Sequence, residues 1–338
     1  MLTEMQLDNM LCEPSEELIQ DLEKLDGDIM ILGAGGKVGP TVSVMAQRAS
    51  DRCQTKKKIY AVARFSDPFV VDLLKRENVT MITADLTDPK QIAELPKVKN
   101  IIYLVGRKFG TSSSACDTWE MNVAVPNMII QHFGAARYVV FSTGNVYPYS
   151  RLEDGGCTED VTPEPVGEYG MSSLGRERIF EYAAKHCSAE VLIYRLNYAI
   201  DLRYGVLFDI AKTILAGEPV SLNVPAFNCV SQRYVSEVAI RALKLASSQV
   251  EYLNVTGPET VSTKYAALEL GRHMGKEVTF IGTPAEKALL SNSQKCVELF
   301  GYPDKGVAEM IRLQAQWLLA NGRQLGKPTH FEEQKGRF

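Results

Sequence analysis

Short apolar runs alternate along most of the chain with longer segments whose apolar positions recur every three or four residues. DIMILGAGG is followed by the helix-like PTVSVMAQRA, and IYAVAR by PFVVDLLKR. VTMITADL precedes a short helix near 89–95, and NIIYLVG precedes TWEMNVAVPNMIIQHF. RYVVFSTG, a further helical segment and EVLIYRL complete the series. Continuous Val/Ile-rich strands between amphipathic helices make βαβ units, because a strand covered on both faces shows no polar alternation. The pattern predicts an α/β fold with a doubly wound parallel sheet over 27–197.

The flanks read differently. Pro14-Ser15-Glu16-Glu17 is a helix start with acid in the first turn, and Leu18, Ile19, Leu22 and Leu25 then share a face until Gly27. Residues 1–26 are therefore expected to form an N-terminal helical extension. After Leu196, turn signals (DLRYG, AGEP, NVPAFN) surround one helix, FDIAKTILA. EVAIRALKLA and EYLNVTG return to the sheet over 231–258. Residues 198–230 and 259–338 are left as a smaller, mostly helical C-terminal substrate lobe, with a strand at EVTFIG and a tail. The tail, GKPTHFEEQKGRF, reads as a strap or a disordered end.

Composition narrows the function. The 338 residues are 45% hydrophobic and 23% charged, with a formal net charge of -4. No dense Lys/Arg stripe offers a surface to nucleic acid, and KKK at 56–58 reads as a solvated edge. No apolar run reaches the roughly 20 residues needed to cross a bilayer. The acidic start lacks the basic-then-apolar order of a secretory signal. Seven scattered cysteines without CxxC point to reduced thiols in a cytoplasm. The four histidines show no ligand spacing, so no metal is expected.

The chemistry begins at ILGAGGKVG. A pyrophosphate needs a tight turn, close backbone approach and close helix–strand packing, with a helix N-terminus facing the anion. The register G-x-x-G-x-x-G meets these needs at Gly33, Gly36 and Gly39, with the Lys37 and Val38 positions inside the turn. The alternative is a glycine-rich turn without ligand. The second strand ends on Arg64, near Ser66, where a guanidinium suits the 2′-phosphate of NADP; Asp67 keeps NAD open. Asp85 closes the third strand, where it can accept from an adenine amino group while Leu86 covers the ring. Val105 and Gly106 end the fourth, small enough for a cofactor to pass.

Together these residues resemble the extended short-chain dehydrogenase/reductase superfamily, the branch of NAD-dependent epimerases and dehydratases. The matching pieces are GAGGKVG at 33–39, ADL at 84–86, the strand end at 104–106, EMNV with Asn122, FSTGNVYP at 141–148 and YGMSS at 169–173. YLNVTGPETVST at 252–263 and ELFGYP at 298–303 extend the likeness to roughly 27–305. The resemblance implies a Rossmann-like fold and an NADP or NAD cofactor. It also implies Tyr169 as acid/base, Thr143 as the hydroxyl that orients the substrate oxygen, and Asn122 as the residue fixing the active-site end of its helix. Their bland alternatives are a packed tyrosine, a turn threonine and a helix-interior asparagine. A homodimer through helices at about 118–133 and 168–185 is one option.

The likeness breaks at Ser173, where the family's Tyr-x-x-x-Lys motif carries lysine. A free tyrosine titrates near pH 10, and a close positive charge shifts such a group by about 1–3 units. Ser173 offers a ribose hydroxyl a hydrogen bond but no charge. Arg176 shares a helical face with Tyr169 and Ser173, and Arg107 and Lys108 follow strand four; any of these is a candidate replacement. Arg176 otherwise points outward to Glu177 or solvent. Arg195, Asn197, Arg203 and Arg233 fall in segments where the family contacts substrate phosphates, in a register that does not match cleanly. Two readings follow. One is an NAD(P)-dependent oxidoreductase or epimerase/dehydratase acting on a small molecule, nucleotide-sugar-like or another hydroxyl or carbonyl compound. The other is a non-catalytic NAD(P)-binding sensor or scaffold.

Overall fold

In the computed structural model, which describes residues 2–108, 110, 113–327, 329–333 and 336, seven parallel strands form the central sheet. They are β1 (Ile29–Leu32), β2 (Ile59–Ala63), β3 (Thr80–Thr83), β4 (Asn100–Tyr103), β5 (Arg137–Thr143), β6 (Glu190–Leu196) and β7 (Glu251–Val255). Their order is β7-β6-β5-β4-β1-β2-β3, with every pairing parallel. All residues of β1 and β4 are buried, as strands covered on both faces require. The direction of winding reverses between β1 and β4, and that switch point opens a crevice at the carboxyl ends of the strands.

The helices of the sheet region are α1 (Glu4–Cys12), α2 (Glu16–Lys24), α3 (Gly39–Arg52), α4 (Pro68–Arg76), α5 (Pro89–Ala93), α6 (Ala115–Trp119), α7 (Val125–Phe133) and α8 (Gly167–His186). A single π-helical turn, Glu120–Ala124, joins α6 to α7. The extension holds two helices where the apolar pattern indicated one. Thr3 and Gln6 form a capping box for α1, and Ser15 caps α2 by accepting from Leu18. Leu7, Leu11, Leu18 and Leu22 are buried in the same core as Val42, Met45, Val235 and Val238. The acidic EMQLDNMLC shows little amphipathic pattern by itself, because one of its inward positions is Asp8, which Arg203 neutralises.

Beyond β6 lie α9 (Val206–Leu215), α10 (Gln232–Arg241), α11 (Thr263–Met274), α12 (Gln294–Phe300) and α13 (Val307–Leu319). α9, α11 and α13 share an apolar core that includes Leu207, Ile210, Leu270 and Ile311, with Phe331 of the tail in it. Phe331 and Thr329 are buried, so this part of the tail is a strap packed on the lobe. EVTFIG contributes only Phe280–Ile281, paired with Val220–Ser221. Lys57 corrects the reading of KKK as a solvated edge: it is 6% exposed, and its amide donates to Ser50. No helix among the described residues is long and apolar enough to cross a membrane.

Candidate active site

The turn after β1 has the stereochemistry its glycines foretell. Gly33 sits at φ +86, and a Cβ there would come within 3.0 Å of the Leu104–Val105 backbone. A Cβ on Gly39 would lie 2.6 Å from the Ala34 backbone, so only glycine lets α3 pack this close to the turn. At Gly36 the added carbon would meet only the Gly33 carbonyl, at 3.4 Å, and Gly36 is exposed. Val38 caps α3 without a side-chain hydrogen bond, and Pro40 opens the helix. An uncapped helix end beside an open glycine face suits a diphosphate.

At the neighbouring strand ends, the Arg64 side chain is largely exposed and lies 3.8 Å from Asp85. Asp67 turns away from the strand end: it caps α4 through Phe69 and pairs with Arg323 at 3.1 Å. Asp85 accepts from the Thr87 amide and hydroxyl, which holds its carboxyl below the usual range. Leu86 and Val105 are buried, and Gly106 is exposed. A Cβ at Gly106 would strike Arg176, 2.5 Å away.

That contact corrects the outward reading of Arg176. Its guanidinium is 5% exposed and donates to the Phe141 carbonyl at 2.8 Å and to Asn122 Oδ1 at 2.6 Å. Asn122 sits on the π-turn, a distortion often found at functional sites. Its Oδ1 also accepts from the Arg107 amide, while its Nδ2 donates to the Arg107 carbonyl and to Ser172. Asn122 thus ties the segment after β4 to α8. Ser173 is fully buried, its hydroxyl finds no partner among the described residues, and it does not line the cavity described next.

The carboxyl ends of β5 and β6, the glycine turn and the lobe enclose a cavity of about 170 Å³. Thr143, Tyr169, Lys37, Val38 and Asn197 line it, as do Lys108, Tyr198, Tyr204, Gln232 and Thr329. Thr143 Oγ1 accepts from the amide and the side chain of Asn145, leaving its own proton for another acceptor. Lys108 donates to the Thr329 carbonyl at 3.1 Å, and its ammonium lies 5.7 Å from the centre of the Tyr169 ring. Lys37 lies over the Tyr204 ring at 3.5 Å. Burial, then the charge of Lys108, pulls Lys37 down to about 7. Burial lowers Lys108 to about 8, against the opposing pull of Asp209. Among the described residues, no group of three or more His, Cys, Asp or Glu is placed to hold a metal ion.

The expected phosphate-binding arginines lie elsewhere. Arg195 is buried against Glu177 at 2.7 Å and donates to Tyr147. Arg203 bonds Asp201, Asp8 and Glu4, anchoring α1. Arg233 pairs with Glu237 and donates to the Glu13 carbonyl. Glu177, Asp8 and Glu4 come from distant segments that no local pattern could reveal, whereas Asp201 and Glu237 lie two and four residues from their arginines.

Fold and glycine turn together define a Rossmann-like α/β protein with a crevice at its switch point. Residues 29–233 match the model of the NAD dependent epimerase/dehydratase family, and the chain belongs to that family of nicotinamide-dependent enzymes. A search among curated proteins found no match. Among solved structures it is similar to MoeE5 in complex with UDP-glucose and NAD, at 18% identity over 87% of this chain and 99% of that one, with a TM-score of 0.68. The UDP-glucuronic acid 4-epimerase of Bacillus cereus in complex with NAD aligns at 17% identity over 87% and 99% of the two chains, TM-score 0.69. The UDP-glucose 4-epimerase of Thermus thermophilus in complex with NAD aligns at 17% identity over 86% and 98%, TM-score 0.70.

Proposed function

We propose that the protein is an NAD(P)-dependent oxidoreductase or epimerase/dehydratase whose substrate carries a hydroxyl or carbonyl group, nucleotide-linked as in the similar structures or free. The observation that carries this reading is that Thr143, Tyr169, Lys37 and Val38 line one cavity at the switch point. When bound, the dinucleotide supplies the hydride donor or acceptor. The turn from Gly33 to Gly39 and Lys37 hold its diphosphate, and Arg64 favours a 2′-phosphate.

Thr143 donates its remaining proton to the reacting oxygen of the substrate, which Asn145 helps to orient by fixing the threonine rotamer. Tyr169 gives or takes the proton at that oxygen. Lys108 places its ammonium beside the Tyr169 ring, a position where Ser173 offers no charge. Arg176 acts one step back, through Asn122, by holding the segment that carries Lys108.

The test is direct. Purified protein is incubated with NADH or NADPH and a panel of nucleotide sugars and small carbonyl compounds. Nicotinamide absorbance reports net oxidation or reduction, and product analysis catches epimerisation, which leaves the cofactor unchanged. Tyr169→Phe should lower turnover about 100- to 10,000-fold, the usual contribution of a positioned acid/base. Ser173, buried and without charge, favours a second reading, cofactor binding without turnover. Tight binding with no product in either protein would select it.

A further inference from the structure

The catalytic cavity, at about 170 Å³, is smaller than the roughly 300–1,000 Å³ usual for sites that enclose larger ligands. On its lobe side the wall includes Thr329 of the chain's own C-terminal segment. Thr329, 2% exposed, donates its amide and hydroxyl to Asp209 at 2.7 and 2.5 Å, and its carbonyl accepts from Lys108. The Leu325 amide bonds the Arg203 carbonyl, and Phe331 packs edge-on against Phe227. These are ties at both ends and in the middle, to four separate segments: the turn at Arg203, α9 at Asp209, the stretch after β4 at Lys108, and Phe227.

On the lobe side, the space beside the cavity is also taken. A second pocket that shares Tyr198 with it is lined by Phe227, Val224 and Phe331, and only about 10 Å³ of it is open. A nucleotide-linked substrate brings a base and a second diphosphate, and an anion of that charge needs cations of its own. Lys37 and Lys108 line the cavity; the first is assigned to the cofactor's diphosphate and the second stands beside the Tyr169 ring. Arg195, Arg203 and Arg233 are committed to Glu177, to Asp201 with Asp8, and to Glu237.

Resting on the hydride chemistry proposed above, we infer that the substrate is a free, small polyol, sugar or related carbonyl compound without a nucleotide, and that Thr329, held in place by the contacts of Leu325 and Phe331, forms the wall that imposes this limit. Asn145, Asn197, Gln232, Tyr198 and Tyr204 give the cavity the amide and phenol groups that a hydroxyl-rich ligand pairs with. Thr329 and Phe331 determine specificity by occupying the room a nucleotide would need.

Calorimetric titration of the NAD-loaded full chain decides this without requiring turnover. UDP and UDP-glucose should give no saturable binding, while at least one member of a panel of aldoses, ketoses, polyols and hydroxy acids should. Binding of UDP or UDP-glucose, or of no free compound, overturns the inference. UDP-glucose that is bound and turned over would do so while leaving the hydride chemistry standing. Conversely, a free sugar bound without turnover, equally by Tyr169→Phe, would sink the chemistry and keep the inference. Deleting residues 327–338 should weaken the free ligand about tenfold, or about 1.4 kcal/mol, with NAD affinity unchanged as a control for folding. Phe331→Ala gives a smaller loss in the same direction if the deletion does not fold. Unchanged ligand affinity in both variants means the strap is no wall.

Discussion

Gly36 and Gly39 lie three residues apart and answer to different constraints. A side chain at 36 enters open space, so Gly36→Val should leave thermal stability nearly unchanged while abolishing dinucleotide binding, measured by fluorescence quenching of NADH. A side chain at 39 meets backbone at 2.6 Å, so Gly39→Ala should lower the melting temperature before any ligand is added. Equal effects of the two substitutions would contradict an open diphosphate site. Lys37 makes a pH prediction. Burial brings it to about 7 in the free protein, so its neutral form prevails above that pH. A diphosphate favours the charged form and raises the titration point. Dinucleotide affinity should therefore be full below about pH 7 and fall above it, by up to about tenfold per unit, until the bound-state titration point is reached. Lys108, at about 8, adds to the decline in the same direction. Lys37→Met should bind more weakly, with a shallower pH dependence; affinity that rises with pH would remove Lys37 from the diphosphate. For Lys108→Met, turnover should drop about tenfold or more, with partial rescue by Lys108→Arg, since Lys108 is the cation beside the Tyr169 ring. Identical rates in all three proteins would leave the site without its cation.

At the scale of elements, the π-turn and the N-terminal pair show how far a pattern can be read. Asn122 was legible as a family position, but its use was not: four hydrogen bonds from one side chain join the end of β4, α8 and Arg176. Arg176 reads as a surface residue in GRER because it is flanked by charges. Its neighbours across the sheet make it internal. α1 and α2 bury four leucines on α3 and α10. Each contributes about 1.5–3 kcal/mol, together comparable with the about 5–15 kcal/mol that stabilises a whole domain. Removal of residues 2–25 should therefore leave an aggregating or unfolded chain, checked by circular dichroism and light scattering. It would also leave the buried Arg203 with Asp201 alone. A folded, cofactor-binding truncation would show that the extension is an accessory.

For the whole molecule, the alternation of apolar strands and amphipathic helices was enough to give the sheet, its parallel sense and the location of the glycine turn. These are local properties: a strand covered on both faces must be apolar throughout, and a phosphate turn must lack side chains. The positions of Gly33, Gly36 and Gly39 were readable for the same reason, while Thr143 and Tyr169 were proposed only from the family resemblance. The tertiary structure alone decided which charges face the cavity. Arg195 and Arg203 were drawn into buried pairs with Glu177 and with Asp8 and Asp201, and Arg233 into a half-buried pair with Glu237, while Lys37 and Lys108 were left lining the site. It alone also laid Thr329 and Phe331 of the tail across the lobe side of the site. Such outcomes depend on contacts between residues as many as two hundred positions apart, and a buried charge goes wherever a partner offsets its lost hydration, a condition no stretch of sequence contains by itself.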